Sequence, residues 1–350
     1  MQYIDAVEGR TIVLNGTRYL NFSGTSYLAI NSQVAFQHSL LEGIQKYGSN
    51  FGGSRLSNTR FEVFEKAEAY LCEVTGAETA FTLSSGMLAG QMVQQLIPKQ
   101  YVKHYEKDTH PALWGEHSAL SDLNYPNWID KTLELANTTS HLAIFCNSID
   151  PLRATPYHFT WISDLPKNQS IMLLIDDSHG LGVIGNHGGG ILTMLPPHDH
   201  LTTVVVGSLG KALGIPGGVV LSSQKWFEQL KTSYFYGGAS PIVPAYLYAF
   251  LQTSILRHTL LKQLRSNIQY FSDALQQHGI TDWQYLENYP VFYTPLTEVY
   301  QALLANRILI SSFPYPKPTD PIITRVVLNA AHTKEDIDTL LAQVLKFYAL

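Results

Sequence analysis

Four places in the 350-residue chain join reactive residue types to turns that would expose them. The β-prone run Ile171 to Ile175 is followed by Asp176-Asp177-Ser178-His179-Gly180, and Thr202 to Val206 by Gly207-Ser208-Leu209-Gly210-Lys211. Thr79 to Leu83 is followed by Ser84-Ser85-Gly86, and the region after Tyr101 leads to Asp108-Thr109-His110. Ligands of open α/β sheets bind at the carboxyl ends of strands, so residues directly after strands are the informative ones. A lysine in a glycine-bearing turn invites a nucleotide P-loop, but that motif needs a glycine five residues before Gly210 and Ser or Thr after the lysine. Those positions hold Val205 and Ala212, and the nucleotide reading fails on spacing. A strand-end carboxylate, a lysine at the next strand end and a glycine turn opening a helix suit pyridoxal phosphate instead. That cofactor needs a Schiff-base lysine, an acidic partner for its ring nitrogen and a phosphate cradle.

The elements that must position these residues can be read from periodicity. Phe61 to Gly76 reads as a helix, with Phe61, Phe64, Ala67, Leu71 and Val74 on one face and Gly76 as the stop. Met87, Leu88, Met92, Val93 and Leu96 mark the next helix, and Leu142 to Cys146 and Val219 to Leu221 add further strands. Short apolar runs separated by helices predict a mostly parallel sheet covered on both faces, because strands buried on both sides lose their polar alternation. Pro241 to Gly279 is mostly helical by pattern. After it, Pro290 to Tyr293, Ile308 to Ser311 and Ile323 to Leu328 read as strands, and a last helix starts at Thr333 with Asp336 three residues on. The expected organisation is an N-terminal segment (1–35), a large α/β domain (36–257) and a small α+β C-terminal domain (258–350).

Composition excludes several partners. Lys plus Arg total 23 against 28 Asp plus Glu, a net charge of -5 with no basic block, so nucleic acid and anionic membrane surfaces are not expected partners. Charged residues make up only 15% of the chain while Tyr and Phe number 20 and 15, which points to surface buried between subunits. Cys72 and Cys146 lie in apolar periodic stretches, as buried free thiols do. With no basic-then-apolar leader and no long apolar run, a soluble cytoplasmic protein is expected. His198-Asp199-His200 reads as a solvated loop rather than a metal triplet, and Gly188-Gly189-Gly190 as a connection.

Taken together, Ile175-Asp176-Asp177-Ser178-His179-Gly180-Leu181-Gly182-Val183-Ile184-Gly185 and Gly207-Ser208-Leu209-Gly210-Lys211-Ala212-Leu213-Gly214 resemble the α-oxoamine synthase family of fold type I pyridoxal phosphate enzymes. Tyr19-Leu20-Asn21-Phe22-Ser23, Gly52-Gly53-Ser54-Arg55 and Asn329-Ala330-Ala331-His332 resemble it in order and spacing. The resemblance implies a large domain with a mostly parallel seven-stranded sheet and a small α+β domain. It implies that Lys211 carries the cofactor, Asp176 keeps the ring nitrogen protonated, His179 bonds the ring hydroxyl and His110 stacks on the ring. Ser85, Gly86 and Met87 would bind the phosphate at a helix N-terminus, Ser208 would add a hydroxyl, and Ser240 would reach the phosphate of a neighbouring subunit, so that a homodimer shares its sites. Arg325 would hold the substrate carboxylate.

The chain also departs from the family's pattern. Asn147-Ser148-Ile149-Asp150-Pro151-Leu152-Arg153-Ala154 stands where a Glu-Gly-x-x-Ser-Met-Asp-Gly stretch is usual, and Thr25-Ser26 replaces an Asn-Asp pair before Tyr27-Leu28. These changes touch the substrate side. The expected activity is a biosynthetic acyltransferase joining an amino acid to an acyl-CoA. An aminotransferase on the same scaffold and a catalytically weak partner subunit are the alternatives, and the amino acid and acyl group stay open.

Overall fold

The computed structural model describes residues 3–115 and 119–349; Met1, Gln2 and Leu350, at the ends of the expected terminal segments, lie outside them. The chain begins with an antiparallel meander, β1 (Ile4–Val7), β2 (Thr11–Leu14) and β3 (Thr17–Phe22). Two helices follow, α1 (Val34–Tyr47) and α2 (Val63–Thr75). In α2, Val63, Phe64, Ala67, Leu71 and Thr75 are buried on one face, and Gly76, at φ 75°, donates its N–H to the Cys72 carbonyl and ends the helix.

A six-stranded sheet carries the residues of interest. Its strands are β4 (Thr79–Leu83), β5 (Val102–Tyr105), β6 (His141–Asn147), β7 (Ser170–Asp176), β8 (Thr202–Ser208) and β9 (Gly218–Ser222), in the order β4-β9-β8-β7-β6-β5. β5 to β8 run parallel and β9 lies antiparallel between β4 and β8. Both faces are covered: Leu142, Ile144 and Cys146 join one apolar cluster while Ala143 and Phe145 join another on the opposite side. This explains the unbroken apolar runs in the sequence.

The seven strands expected for this sheet are six among the described residues. Beyond β5 the edge carries only an isolated parallel bridge between Tyr105 and Leu120. Between those two residues Pro111 opens a single tight turn, Pro111–Leu113, and the Leu113 N–H is used by the His110 carbonyl instead of a ladder.

A seven-stranded sheet does exist elsewhere. β10 (Gln284–Tyr285), β11 (Val291–Thr294), β12 (Ile308–Pro314) and β13 (Ile322–Val327) join the N-terminal meander in the order β1-β2-β3-β12-β13-β11-β10. The only parallel pairing in it among the described residues is β3 with β12, so the two ends of the chain share one sheet. The last helix, Lys334–Tyr348, starts with the expected capping box: the Asp336 N–H donates to Thr333 Oγ1 and the Thr333 N–H to Asp336 Oδ2. Arg10 pairs with the same Asp336 and ties the meander to that helix. The three N-terminal strands and α1 were not legible in the sequence: β1, β3 and α1 bury few side chains, and the alternation of β2, with Ile12 and Leu14 buried, spans only four residues. No helix among the described residues is long and apolar enough to cross a membrane.

Candidate active site

Register brings the expected residues to one edge. Asn147 lies opposite Asp176 at the ends of β6 and β7, and Asp176 opposite Val206 in β8, whose last residue is Ser208. The turn after β7 is bonded to the end of β8. The Asp177 N–H donates to the Val206 carbonyl, and the Ser208 N–H donates to Ser178 Oγ at 2.9 Å. Lys211 follows in the turn between β8 and β9. Asp176 is buried, with Oδ1 accepting the Ser178 N–H at 2.9 Å and Oδ2 lying 3.5 Å from His110 Nδ1.

These groups lie near enough to one another to couple electrostatically. Burial lowers the Lys211 amine to about 8, with Arg325 pushing the same way and Asp176 and Asp177 partly offsetting it. The His179 imidazole is held well below its ordinary range by burial first and then by Lys211, Arg325 and His110, so it is neutral at pH 7. Burial also lowers His110, aided by Lys211 and opposed by Asp176. Arg325, on β13 and 4% exposed, donates to the Pro151 carbonyl and keeps its Nε–H without a partner among the described residues. It lines a cavity of about 330 Å³ with Ser23, Thr25 and Phe313.

The helix α3 (Gly86–Gln95) points its N-terminus at this edge, capped by Ser85 Oγ accepting the Leu88 N–H at 3.1 Å. Gly86 passes so close to β8 that a Cβ there would sit 3.1 Å from Ser208 Cα, and a Cβ on Gly218 would sit 2.2 Å from the Ser85 carbonyl oxygen. The close approach leaves the first N–H groups of α3 beside the Ser208 hydroxyl. Met87 is exposed. Ser240 stands next to the same loop, its carbonyl accepting the Ser84 N–H at 3.1 Å within one chain while the residue itself stays exposed. The helix expected from Pro241 begins three residues later, at Pro244.

The structure therefore gathers Lys211, Asp176, His179, His110 and Arg325 around one point, with Ser85, Gly86 and Ser208 at its side. These residues fit pyridoxal phosphate: a buried carboxylate for a cationic ring nitrogen, an amine with a lowered pKa for a carbonyl carbon, and helix N–H groups with hydroxyls for a dianion. Sequence reasoning missed three contributors. Tyr27 places its hydroxyl 2.7 Å from His179 Nδ1 and 3.4 Å from the Tyr289 hydroxyl, and its place beside the altered Thr25-Ser26 pair was the available signal. Asn147, noted only as a departure, bonds the backbone on either side of Thr109. Tyr315, whose charge couples to Asp176 and Arg325, comes from a distant loop and left no sequence signal. Next to His110 lies a second cavity, of about 230 Å³, walled by Trp114, Leu120, Leu152 and Pro316, with Lys107, Lys317 and Asp320 among its lining.

Comparison with known proteins agrees with this geometry. The chain is 28% identical to the 8-amino-7-oxononanoate synthase of Hydrogenovibrio crunogenus over 345 residues, covering 94% of this chain and 87% of that protein. It is 25% identical to the enzyme of the same name from Thermosipho melanesiensis over 360 residues, covering 96% and 90%. Its fold superposes on the Sphingomonas wittichii serine palmitoyltransferase with a TM-score of 0.84 at 19% identity, covering 98% of this chain and 90% of that one. Residues 150–344 match the aminotransferase class I and II model. That segment spans more than half of the chain and holds Asp176, His179, Lys211 and Arg325, so the chain belongs to the aminotransferase class I and II family of pyridoxal phosphate-dependent transferases.

Proposed function

We propose that the protein condenses an amino acid with an acyl-CoA, as an acyltransferase of the 8-amino-7-oxononanoate synthase kind, working as a cytoplasmic homodimer. The observation that carries the reading is the placement of His110 between Asp176 on one side and a cavity of acyl-chain size on the other. When bound, pyridoxal phosphate supplies an electron sink that makes the amino acid's Cα proton acidic. The chain's own residues do the rest. Asp176, an acceptor buried at the strand edge, holds a proton on the ring nitrogen. His179, neutral and oriented by Tyr27, offers its Nε2 side to the ring hydroxyl. Arg325 binds the substrate carboxylate with the guanidinium donors not spent on Pro151. Lys211 Nζ, whose burial favours the neutral amine, would take the Cα proton as general base. His110 donates to the thioester carbonyl oxygen as CoA leaves.

Sharing of sites between subunits is part of the proposal. Leu56, Met87 and Tyr234 are large, apolar and exposed. Leu56 packs on Gly237, whose carbonyl accepts the Ser54 hydroxyl at 2.6 Å, close to Ser240. A partner covering this face would hide these side chains and receive Ser240 at its own phosphate site. The test is to add a panel of amino acids with and without acyl-CoA and follow free thiol. Thiol release that requires both substrates is expected. A keto acid formed from amino acid alone, with no thiol from any acyl-CoA, would replace the reading with an aminotransferase. Cofactor retained in full by a monomer would remove the shared site.

A further inference from the structure

His110 sits on a turn whose backbone is held by several side chains: Gln91 and Gln94 reach the carbonyls of Ala112, Trp114 and Leu113, and Asn147 brackets Thr109. Asn147 Nδ2 donates to the Asp108 carbonyl at 2.6 Å, and Asn147 Oδ1 accepts the His110 N–H at 2.9 Å. The assignment of oxygen and nitrogen follows from the partners, since a carbonyl needs a donor and an N–H needs an acceptor. The same turn then folds back: the Ala112 N–H donates to His110 Nδ1 at 3.2 Å. With its Nδ1 lone pair taken, a neutral imidazole carries its proton on Nε2. Nε2 has no partner among the described residues and His110 lines the 230 Å³ cavity.

We infer that Asn147 is a positioning residue that fixes His110 as a neutral Nε2–H donor facing the acyl cavity, an assignment that rests on the reaction proposed above only for what the donor acts on. Only an amide can serve both backbone groups at once. A carboxylate at position 147 has no proton for the Asp108 carbonyl and sets a negative charge beside the imidazole, while alanine abandons both. Both polar ends of Asn147 are engaged by backbone, so its effect passes through His110. The titratable groups facing His110 are Asp176 on β7, His179 after it, which is neutral, and Lys211 after β8. Lys317 and Asp320 face it across the cavity, and Lys107 and Asp108 belong to its own turn. Among these, Lys211 and burial oppose a positive imidazole and Asp176 favours one, so the turn geometry decides which nitrogen bears the proton.

The test uses full-length cofactor-free protein labelled with ¹⁵N-histidine, with His110→Gln to assign the signal. The wild type should show a neutral Nε2–H tautomer at pH 7 that titrates below the ordinary histidine range. Asn147→Asp should raise that titration by about one pH unit, and Asn147→Ala should mix the tautomers. Asn147→Gln, which keeps both functions on a longer stem, should recover the wild-type tautomer in part. Unchanged tautomer and titration in both the Asp and Ala variants would overturn the inference, as would an Nδ1–H wild type. With turnover as a second reading, Asn147→Ala should lower kcat about tenfold with little change in amino-acid KM. If no acyl-CoA reacts at all, the proposed reaction fails while the imidazole measurement still decides the role of Asn147.

Discussion

The two walls of the site are built on different physical terms. The inner wall, Asp176, His179, Ser208 and Lys211, hangs directly from the ends of two parallel strands, and its residues are held by the sheet register and by bonds from the turn after β7 to the end of β8. The outer wall, from Glu106 to Trp114, lies beyond the end of β5 and rests on β6 through the Phe145 carbonyl, which accepts the Glu106 N–H and the Thr109 hydroxyl. It is a turn held by side chains: Glu106 Oε2 accepts the Asp108 N–H at 2.8 Å, Asn147 brackets Thr109, and Trp114 Nε1 donates to the Thr109 carbonyl at 2.8 Å. A strand end can be placed by pattern alone, whereas a clamped turn depends on each polar partner. The inner wall should therefore fail through chemistry when altered, and the outer wall through geometry.

The largest effect should come from the inner wall. Lys211→Ala should lower turnover at least 10³-fold, about 4 kcal/mol, and abolish borohydride-trapped cofactor on the chain. A stable adduct on another lysine would break the comparison. Second, Lys211 should cost the cofactor-free protein stability. Its amine titrates at about 8 when folded against 10.5 for an ordinary lysine, so between those values the unfolded chain binds the extra proton and stability rises with pH. Below pH 8 Lys211→Met should be the more stable protein by at most about 3 kcal/mol. The gap should close by pH 10.5, as read by urea unfolding at both ends. A constant gap would mean that the amine is not desolvated.

Arg325 links the inner wall to the second sheet. Arg325→Lys keeps the charge but loses the fork, and amino-acid KM should rise about tenfold, roughly 1.4 kcal/mol, with kcat less affected. An unchanged KM would assign Arg325 to packing against Pro151 and Phe313. The smallest effect belongs to the outer wall. Burial, with Asp108 adding repulsion, raises the Glu106 carboxyl to about 7. The native state then holds a proton that the unfolded chain loses above 4.5, so stability falls as pH rises from 4.5 to 7. Glu106→Gln should remove that slope and gain about 1 kcal/mol at pH 8, measured by denaturant midpoints at pH 5 and 8. A slope that persists in the variant would show that another group titrates.

Not every motif residue serves the chemistry. Arg55 pairs with Glu68 beneath β4, where Glu68 also accepts from Thr82. His332 stacks on Phe22 at 4.1 Å and bonds the Asn21 carbonyl, with burial lowering it to about 4. Both lie in stretches that resemble the family as clearly as the lysine turn does, yet they hold the fold together. Matching spacing identifies what is needed without saying whether it is needed by the site or by the scaffold.

By itself the sequence determined the apolar strands of the large sheet, the turns that end them and the capped last helix, because buried strands and helix ends leave local signatures in residue type and spacing. It thereby determined the identities of Lys211, Asp176, His179 and His110 as strand-end candidates. Only the tertiary structure decided that β3 pairs with β12, that the large sheet has six strands among the described residues, and that Tyr27, Asn147 and Tyr315 reach the site. Those outcomes rest on contacts between segments far apart in the chain, where a single hydrogen bond or a proline turn settles the result and no local periodicity records it.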